Sequence, residues 1–156
     1  MTQPIWQSDA WIAQTQRLLN SFRHWLGRDL IPRSSPTDES AALFSADFVV
    51  VSHGTETDPK LNYGNRQALL LWQMSSEEFL GTPSRETAEP VHREERAQLL
   101  RQTREQGYIG DYTGIRIAAD GQRFQIHQAI VWNLIDDAGH HAGQAATFAD
   151  WTCLNS

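Results

Sequence analysis

The sequence predicts an α+β domain: a five-stranded antiparallel sheet with helices on one face and an amphipathic helix at the N-terminus. Three observations carry this. The run Phe48-Val49-Val50-Val51 meets a turn-rich segment, 52–59, and then a second short run of strand type at 60–63. The last third of the chain is punctuated by Asp120-Gly121 and by Asp136-Asp137-Ala138-Gly139, the turn signals of a three-stranded meander. Between these two β regions lie helix caps and helical spacing.

The chain has 156 residues, enough for one domain with a real core. Its hydrophobic share of 40% places it outside the disordered class. The net charge of −6 argues against nucleic acid or an anionic membrane as partner, since both require clustered positive charge. Arginines gather over 85–104, but Glu86, Glu89, Glu94, Glu95 and Glu105 interleave with them, the pattern of a solvated helix face. Cys153 is the only cysteine, so neither an internal disulfide nor a Cys-based zinc site is expected. The N-terminus has no basic segment leading into an apolar run, and no stretch approaches the roughly 18 apolar residues of a spanning helix. A cytoplasmic protein without membrane contact is the expectation.

Taken in order, residues 1–7 read as a lead-in, and Ser8 caps a helix over 8–26. Trp11, Leu18 and Trp25 recur every seven residues with Phe22 between, so the helix carries a wide apolar stripe. That stripe needs a cover. It is the domain's own sheet, a partner helix, or both together; a homodimer is expected, with Trp11, Leu18, Phe22 and Trp25 as its candidate seam. Gly27 and Pro32 end the helix, and 33–37 is linker by composition. We therefore divide the chain into an N-terminal helix with linker, 1–37, and the domain proper, 38–156.

A short helix over 38–44 precedes the first strand, 48–52. Its consecutive valines suit a strand buried on both faces. Asn65 opens an apolar helix over 68–74, a helical turn follows at 76–79, and Thr82-Pro83-Ser84 breaks it. Pro90 suits the first turn of a long helix that Gly107 ends. Val91, Leu99 and Leu100 are its apolar positions, so one edge packs. Strands are expected over 111–118, 122–135 and 141–151. In the middle one, period two puts Phe124, Ile126, Gln128, Ile130 and Trp132 on one face and Gln125, His127, Ala129, Val131 and Asn133 on the other. Both faces need covering, one by the N-terminal helix and one by the later helices.

The order strand, strand, helices, three antiparallel strands resembles the PAS fold. Asn65, Phe79-Leu80-Gly81, Asp120-Gly121, Asp136 with Gly139, Gly143 and Asp150-Trp151-Thr152 stand where that fold keeps similar residues. Over 48–63, 64–72, Thr87-Ala88-Glu89-Pro90, Arg93-Glu94-Glu95-Arg96 and 143–151 the wording is similar to the MEKHLA domain. That domain is a PAS-like module found alone in bacteria, cyanobacteria among them, and at the C-terminus of plant homeodomain-leucine-zipper regulators. The resemblance implies a PAS-like five-stranded sheet and a sensory or regulatory role, with no reaction to carry over.

The light-sensing relatives form a flavin adduct on a cysteine of the short helices, and 75–90 contains none. Their flavin-holding positions fall at Arg116, Ile126 and Phe148, of which only Arg116 is polar. The haem-binding relatives use a histidine of the long helix, and His92 stands there among charged neighbours. Neither flavin adduct nor haem is expected, and the cofactor is left unknown. His140 and His141 are sequence neighbours in a turn and do not converge on a metal. Ser52 and His53 point to opposite faces of a strand, and no hydrolase or phosphate-loop motif occurs, so catalysis is not expected.

What remains is a pocket between sheet and helices for an unidentified small molecule, anionic or aromatic. Arg116, if turned inward, is a buried cation in need of an acidic partner, and Gln128 poses the same question. Tyr63, Trp72 and Phe148 are its apolar walls, with Asn65 and His53 as further candidates. The alternative is an interaction module whose Arg116 is paired within the protein and whose core is filled.

Overall fold

In the computed structural model, which describes residues 3–154, α1 spans Asp9–Leu26 and α2 Pro36–Phe44. Strands β1, Val49–His53, and β2, Leu61–Gly64, form a hairpin. Three helices follow: α3, Arg66–Trp72; α4, Ser76–Phe79; and α5, Pro90–Gln106. The chain closes with β3, Tyr108–Ile117, β4, Arg123–Ile135, β5, His141–Phe148, and β6, Asp150–Cys153. All pairings are antiparallel, in the order β2-β1-β5-β4-β3, with β6 also on β4. β6 continues β5 in unbroken register: Thr147 faces Ile130 and Asp150 faces His127. The sixth strand is therefore the second half of the expected fifth.

Each face of the sheet has its own core. On the outer face, Trp11, Leu18, Leu19 and Phe22 of α1 and Leu43 and Phe44 of α2 pack on Val50, Tyr63, Trp132 and Leu134. Phe22 meets Trp132 edge-on at 5.0 Å between ring centroids, and Trp11 lies 4.7 Å from Tyr63. Trp25 is half-buried, and its indole N–H donates to the Asn133 carbonyl at 2.9 Å. The stripe is thus covered by the sheet of its own chain. Trp11, Leu18 and Phe22 are buried without a partner protomer, so a seam built on them is corrected. Gly107 belongs to this packing: at φ +95° it caps α5, and a Cβ there would lie 2.4 Å from the Trp25 ring.

On the inner face, Val49, Phe124, Ile126, Ala129 and Phe148 pack under Ala68 and Trp72 of α3 and Phe79 of α4. Consecutive Val49 and Val50 serve opposite cores, as expected of a strand buried on both sides. The strict alternation expected in β4 fails at one place. From Ile126 to Ala129 the strand takes three steps while β3, from Gly114 to Tyr112, takes two. The extra residue is a β-bulge, and Gln128 sits in it at φ +53°. Beyond it every side chain changes face. Ala129, Val131 and Asn133 therefore join Phe124 and Ile126 inside, while Ile130 and Trp132 go outside. β3 carries the matching extra residue between Ile109 and Tyr112, where Asp111 has φ +56°.

Asn65 locks the entrance to α3. Its buried side chain accepts from the amides of Ala68 and Val50 and donates to the carbonyls of Leu43 and Phe48. It caps the helix and ties it to β1 and α2 in one step. On α5 the buried positions are Arg96, Leu99 and Thr103; Val91 stands outside at 78% exposure, correcting its assignment to the packed edge. The C-terminal turn of α5 is held by β4 and β5. Asn133 donates to the Thr103 and Arg104 carbonyls, and Gln144 to the Leu100 carbonyl and to Asn133 Oδ1. Of these carbonyls that of Arg104 belongs to the open helix end, while that of Thr103 also accepts from the Gly107 amide.

Candidate functional site

A cavity of about 70 Å³ lies between the inner face of the sheet, α3, α4 and α5. Much of its wall is apolar: Leu61, Trp72, Phe79, Leu99, Ile126 and Phe148. The Trp72 ring stands edge-on to Phe124 at 5.1 Å and to Phe148 at 6.3 Å, which fixes that end. Into this wall the fold sets Arg116 from β3, Arg96 from α5 and His53 from β1.

Arg116 is 7% exposed and Arg96 8%. Arg116 donates to its neighbour's carbonyl, Ile115, at 2.8 Å and to the Tyr112 hydroxyl at 3.2 Å. Tyr112 in turn donates to the Glu95 carboxylate at 3.0 Å, so the nearest acid reaches Arg116 only through a phenol. Arg96 donates to the Ser84 hydroxyl. Among the described residues neither guanidinium has a carboxylate within ion-pairing distance. Burial pulls the Arg96 guanidinium down to about 10, and Arg116 beside it pulls the same way. Arg96 therefore stays charged at neutral pH. Two buried like charges at one cavity are costly unless something else neutralises them.

His53 is also buried. Its Nδ1 lies 3.0 Å from the Gly54 carbonyl, which can only accept, so Nδ1 carries the proton and Nε2 is a bare acceptor. That Nε2 has no hydrogen-bond partner among the described residues, and neither has the indole N–H of Trp72. Burial, chiefly, drives the imidazole down to about 4, with Arg96 adding to it, so the ring is neutral at pH 7. The residues that line the cavity therefore include two cations, one residue with a buried unmet donor and one with a buried unmet acceptor.

Of the residues expected to form the pocket, Arg116, Trp72, Phe148 and His53 meet here. Three do not. Tyr63 belongs to the outer core against Trp11, because it lies on the other face of the hairpin. Asn65 is fully engaged as the α3 clasp. Gln128 is exposed because the bulge turns it away. The residue missed was Arg96, read as part of a solvated face. The signal was present in its spacing, three residues before Leu99 and seven before Thr103, the three buried positions of α5. Tyr112, Ser84 and Gln144 also line the cavity without having been singled out.

As formed, the cavity is about half the 150 Å³ of an engineered site that takes benzene. The three fused rings of a flavin would not enter it without displacing side chains. No three His, Cys, Asp or Glu side chains converge as a metal site among the described residues. No helix there is long and apolar enough to cross a membrane.

Comparison with known proteins bears on this arrangement. No curated protein matches the chain in sequence. Among solved structures it is similar to the PAS domain of a protein from Colwellia psychrerythraea, at 14% identity and a TM-score of 0.62, over 75% of this chain and 94% of that one. A light-oxygen-voltage domain solved with a flavin analogue matches at 18% identity and 0.57, over 76% and 85%. An RNA-binding light-oxygen-voltage receptor matches at 17% and 0.59, over 76% of this chain and 36% of that one. At such identities the likeness is one of fold: the sheet and helices are those of a PAS domain. The MEKHLA domain model matches residues 12–153, from the first turns of α1 to the end of β6, and the chain belongs to the MEKHLA domain family.

Proposed function

We propose that this chain is a non-catalytic sensory or regulatory domain that binds a small anion in the cavity between the sheet and α5. One observation carries the reading: Arg96 and Arg116 are both buried at the same apolar cavity and neither is paired with a carboxylate. A water could meet the orphaned Trp72 and His53 nitrogens, but it could not neutralise two guanidinium groups. A filled core, the alternative, would not place unpaired cations around a hole.

The arrangement also suggests how occupancy would be reported. Arg116 stands on the sheet and Arg96 on α5, so a shared anion would draw the helix toward β3. The C-terminal end of α5 is fixed by Asn133 and Gln144, whereas its N-terminal half is tied through Glu95 to Tyr112 and through Arg96 to Ser84, bonds beside the cavity that a ligand would rearrange. A ligand shifts such an equilibrium only by its differential affinity for the two positions.

The test is native mass spectrometry of untagged protein, followed by denaturing release of whatever is bound and calorimetric titration with small carboxylates. A stoichiometric extra mass that is acidic, lost in a folded Arg116→Ala variant, is the expected result. A chain that carries no added mass and binds no small anion in titration would remove the proposal. The same spectrum reads the oligomeric state directly.

A further inference from the structure

We infer that the ligand is a small monocarboxylate bearing a hydroxyl next to its carboxylate, a 2-hydroxy acid, and that His53 selects it; this rests on the anion reading above. The argument begins with the tautomer. Because His53 Nδ1 donates to the Gly54 carbonyl, Nε2 offers only a lone pair, and no protein donor meets it. A carboxylate offers only lone pairs as well. A plain carboxylate would answer the two arginines and leave the histidine to a trapped water. The occupant that meets every group carries acceptor oxygens at one end and an O–H at the other.

Size narrows the class. At about 70 Å³, under half the roughly 150 Å³ that takes benzene, the cavity admits only the smallest members of the class, and side chains must give way to seat them. Glycolate is the smallest 2-hydroxy acid. A 2-amino acid would present a donor too, but its ammonium would bring a third cation beside Arg96 and Arg116. Inorganic phosphate has as many non-hydrogen atoms as glycolate but fails by chemistry. Each guanidinium already gives donors to protein acceptors, Ser84 for Arg96 and Ile115 with Tyr112 for Arg116. Much of the remaining wall is apolar, so a doubly charged group with four oxygens would find too few donors. Two carboxylate oxygens for two guanidiniums is the better count.

The experiment titrates the full chain with glycolate, acetate, glycine and inorganic phosphate at matched ionic strength, by calorimetry. Glycolate should bind about ten-fold tighter than acetate, the worth of one hydrogen bond together with the relief of a stranded acceptor. Glycine and phosphate should bind more weakly than either. In His53→Leu the glycolate preference over acetate should fall to about one-fold. Should that variant fail to fold, the wild-type ring still answers. The His53 Nε2 resonance in a ¹⁵N spectrum should shift toward the hydrogen-bonded range with glycolate and stay put with acetate. Equal affinity for glycolate and acetate, a preference that survives His53→Leu, or phosphate binding above both would overturn this inference and leave the anion reading standing. Absence of binding by all four to folded protein would overturn both.

Discussion

Under α1 the sheet is closed by Phe22 against Trp132, Trp11 against Tyr63, and Leu18 and Leu43 between them, whereas under α5 two guanidinium groups and an imidazole stand around a hole. Both faces belong to the same strands. Val49 and Val50 are adjacent and fully buried, yet one looks into each environment. The outer face also brings in a charged group, but it is answered at every oxygen. Glu39 of α2 accepts from Arg33 Nε at 2.5 Å, from the Ser34 amide at 2.9 Å and from Gln16 of α1 at 2.7 Å. Natural proteins rarely leave buried charges unmet. Under the anion reading proposed above, the inner face is the one whose composition serves a ligand, and the outer face the one that serves stability.

The comparison can be broken at its strongest point first. Phe22→Ala removes a fully buried ring from the outer core and should cost about 3–5 kcal/mol in urea unfolding. A loss below about 1 kcal/mol would mean that α1 does not hold the sheet as its contacts imply.

Acid should then unfasten the two faces in separate windows. His53 has an ordinary value of 6.5 and about 4 when folded, so the unfolded chain takes the proton first. Its contribution is present above pH 6.5 and declines as pH falls to about 4, by up to about 3 kcal/mol. Burial pushes the Glu39 carboxyl up, but the bonds from Arg33, Gln16 and Ser34 outweigh it and hold the group at about 2 against an ordinary 4.5. Its contribution is present above pH 4.5 and is lost as pH falls toward 2. Stability profiles of His53→Leu and Glu39→Gln should each lose slope in one window only. A profile in which both variants flatten the same window would show that the two groups are not independent.

Asn65→Ala comes next, at about 2–3 kcal/mol, because it removes the α3 cap and strands the Val50 amide and two carbonyls. Asn65→Asp should cost at least as much, since its carboxylate keeps the two amides but turns a buried, charged acceptor oxygen on the Leu43 and Phe48 carbonyls.

How much of this the residues announce depends on the kind of signal. The order of elements is written in local chemistry: Ser8 and Asn65 as caps, Gly107 as a stop, Asp120-Gly121 as a hairpin. Each acts over a few residues and can be read in isolation. The bulge at Gln128 cannot, because it exists only in the pairing of β4 with β3. Period two was right up to Ile126 and inverted afterwards. Tyr63 was misplaced for a related reason, since a pocket list drawn from nearby residues cannot tell which face of a hairpin each one takes. Arg96 was hidden by composition: Arg93-Glu94-Glu95-Arg96 reads as solvent-facing until its spacing to Leu99 and Thr103 is counted. Arg116 was legible because an arginine between Ile115 and Ile117 of a strand raises the question of a buried cation, although the sequence left open whether its partner is a ligand or the protein itself.

The smallest expected effect sharpens the comparison most. If Arg96 and Arg116 were structural, replacing either with methionine would destabilise the fold like any broken buried interaction, by about 3 kcal/mol or more. If they serve a ligand, the empty protein carries their cost. Methionine matches the length of the arginine stem and fills the apolar wall, so Arg96→Met and Arg116→Met should be neutral or stabilising by about 1 kcal/mol in ligand-free protein. Each should at the same time abolish anion binding. The two changes should also fail to add. Removing one cation relieves the other of a like charge, so the second substitution should gain less than the first. Urea unfolding of the four species in this cycle, with and without a saturating carboxylate, reads both quantities. Strict additivity, or a loss of several kcal/mol in either single variant, would return the arginines to the scaffold and erase the difference between the two faces.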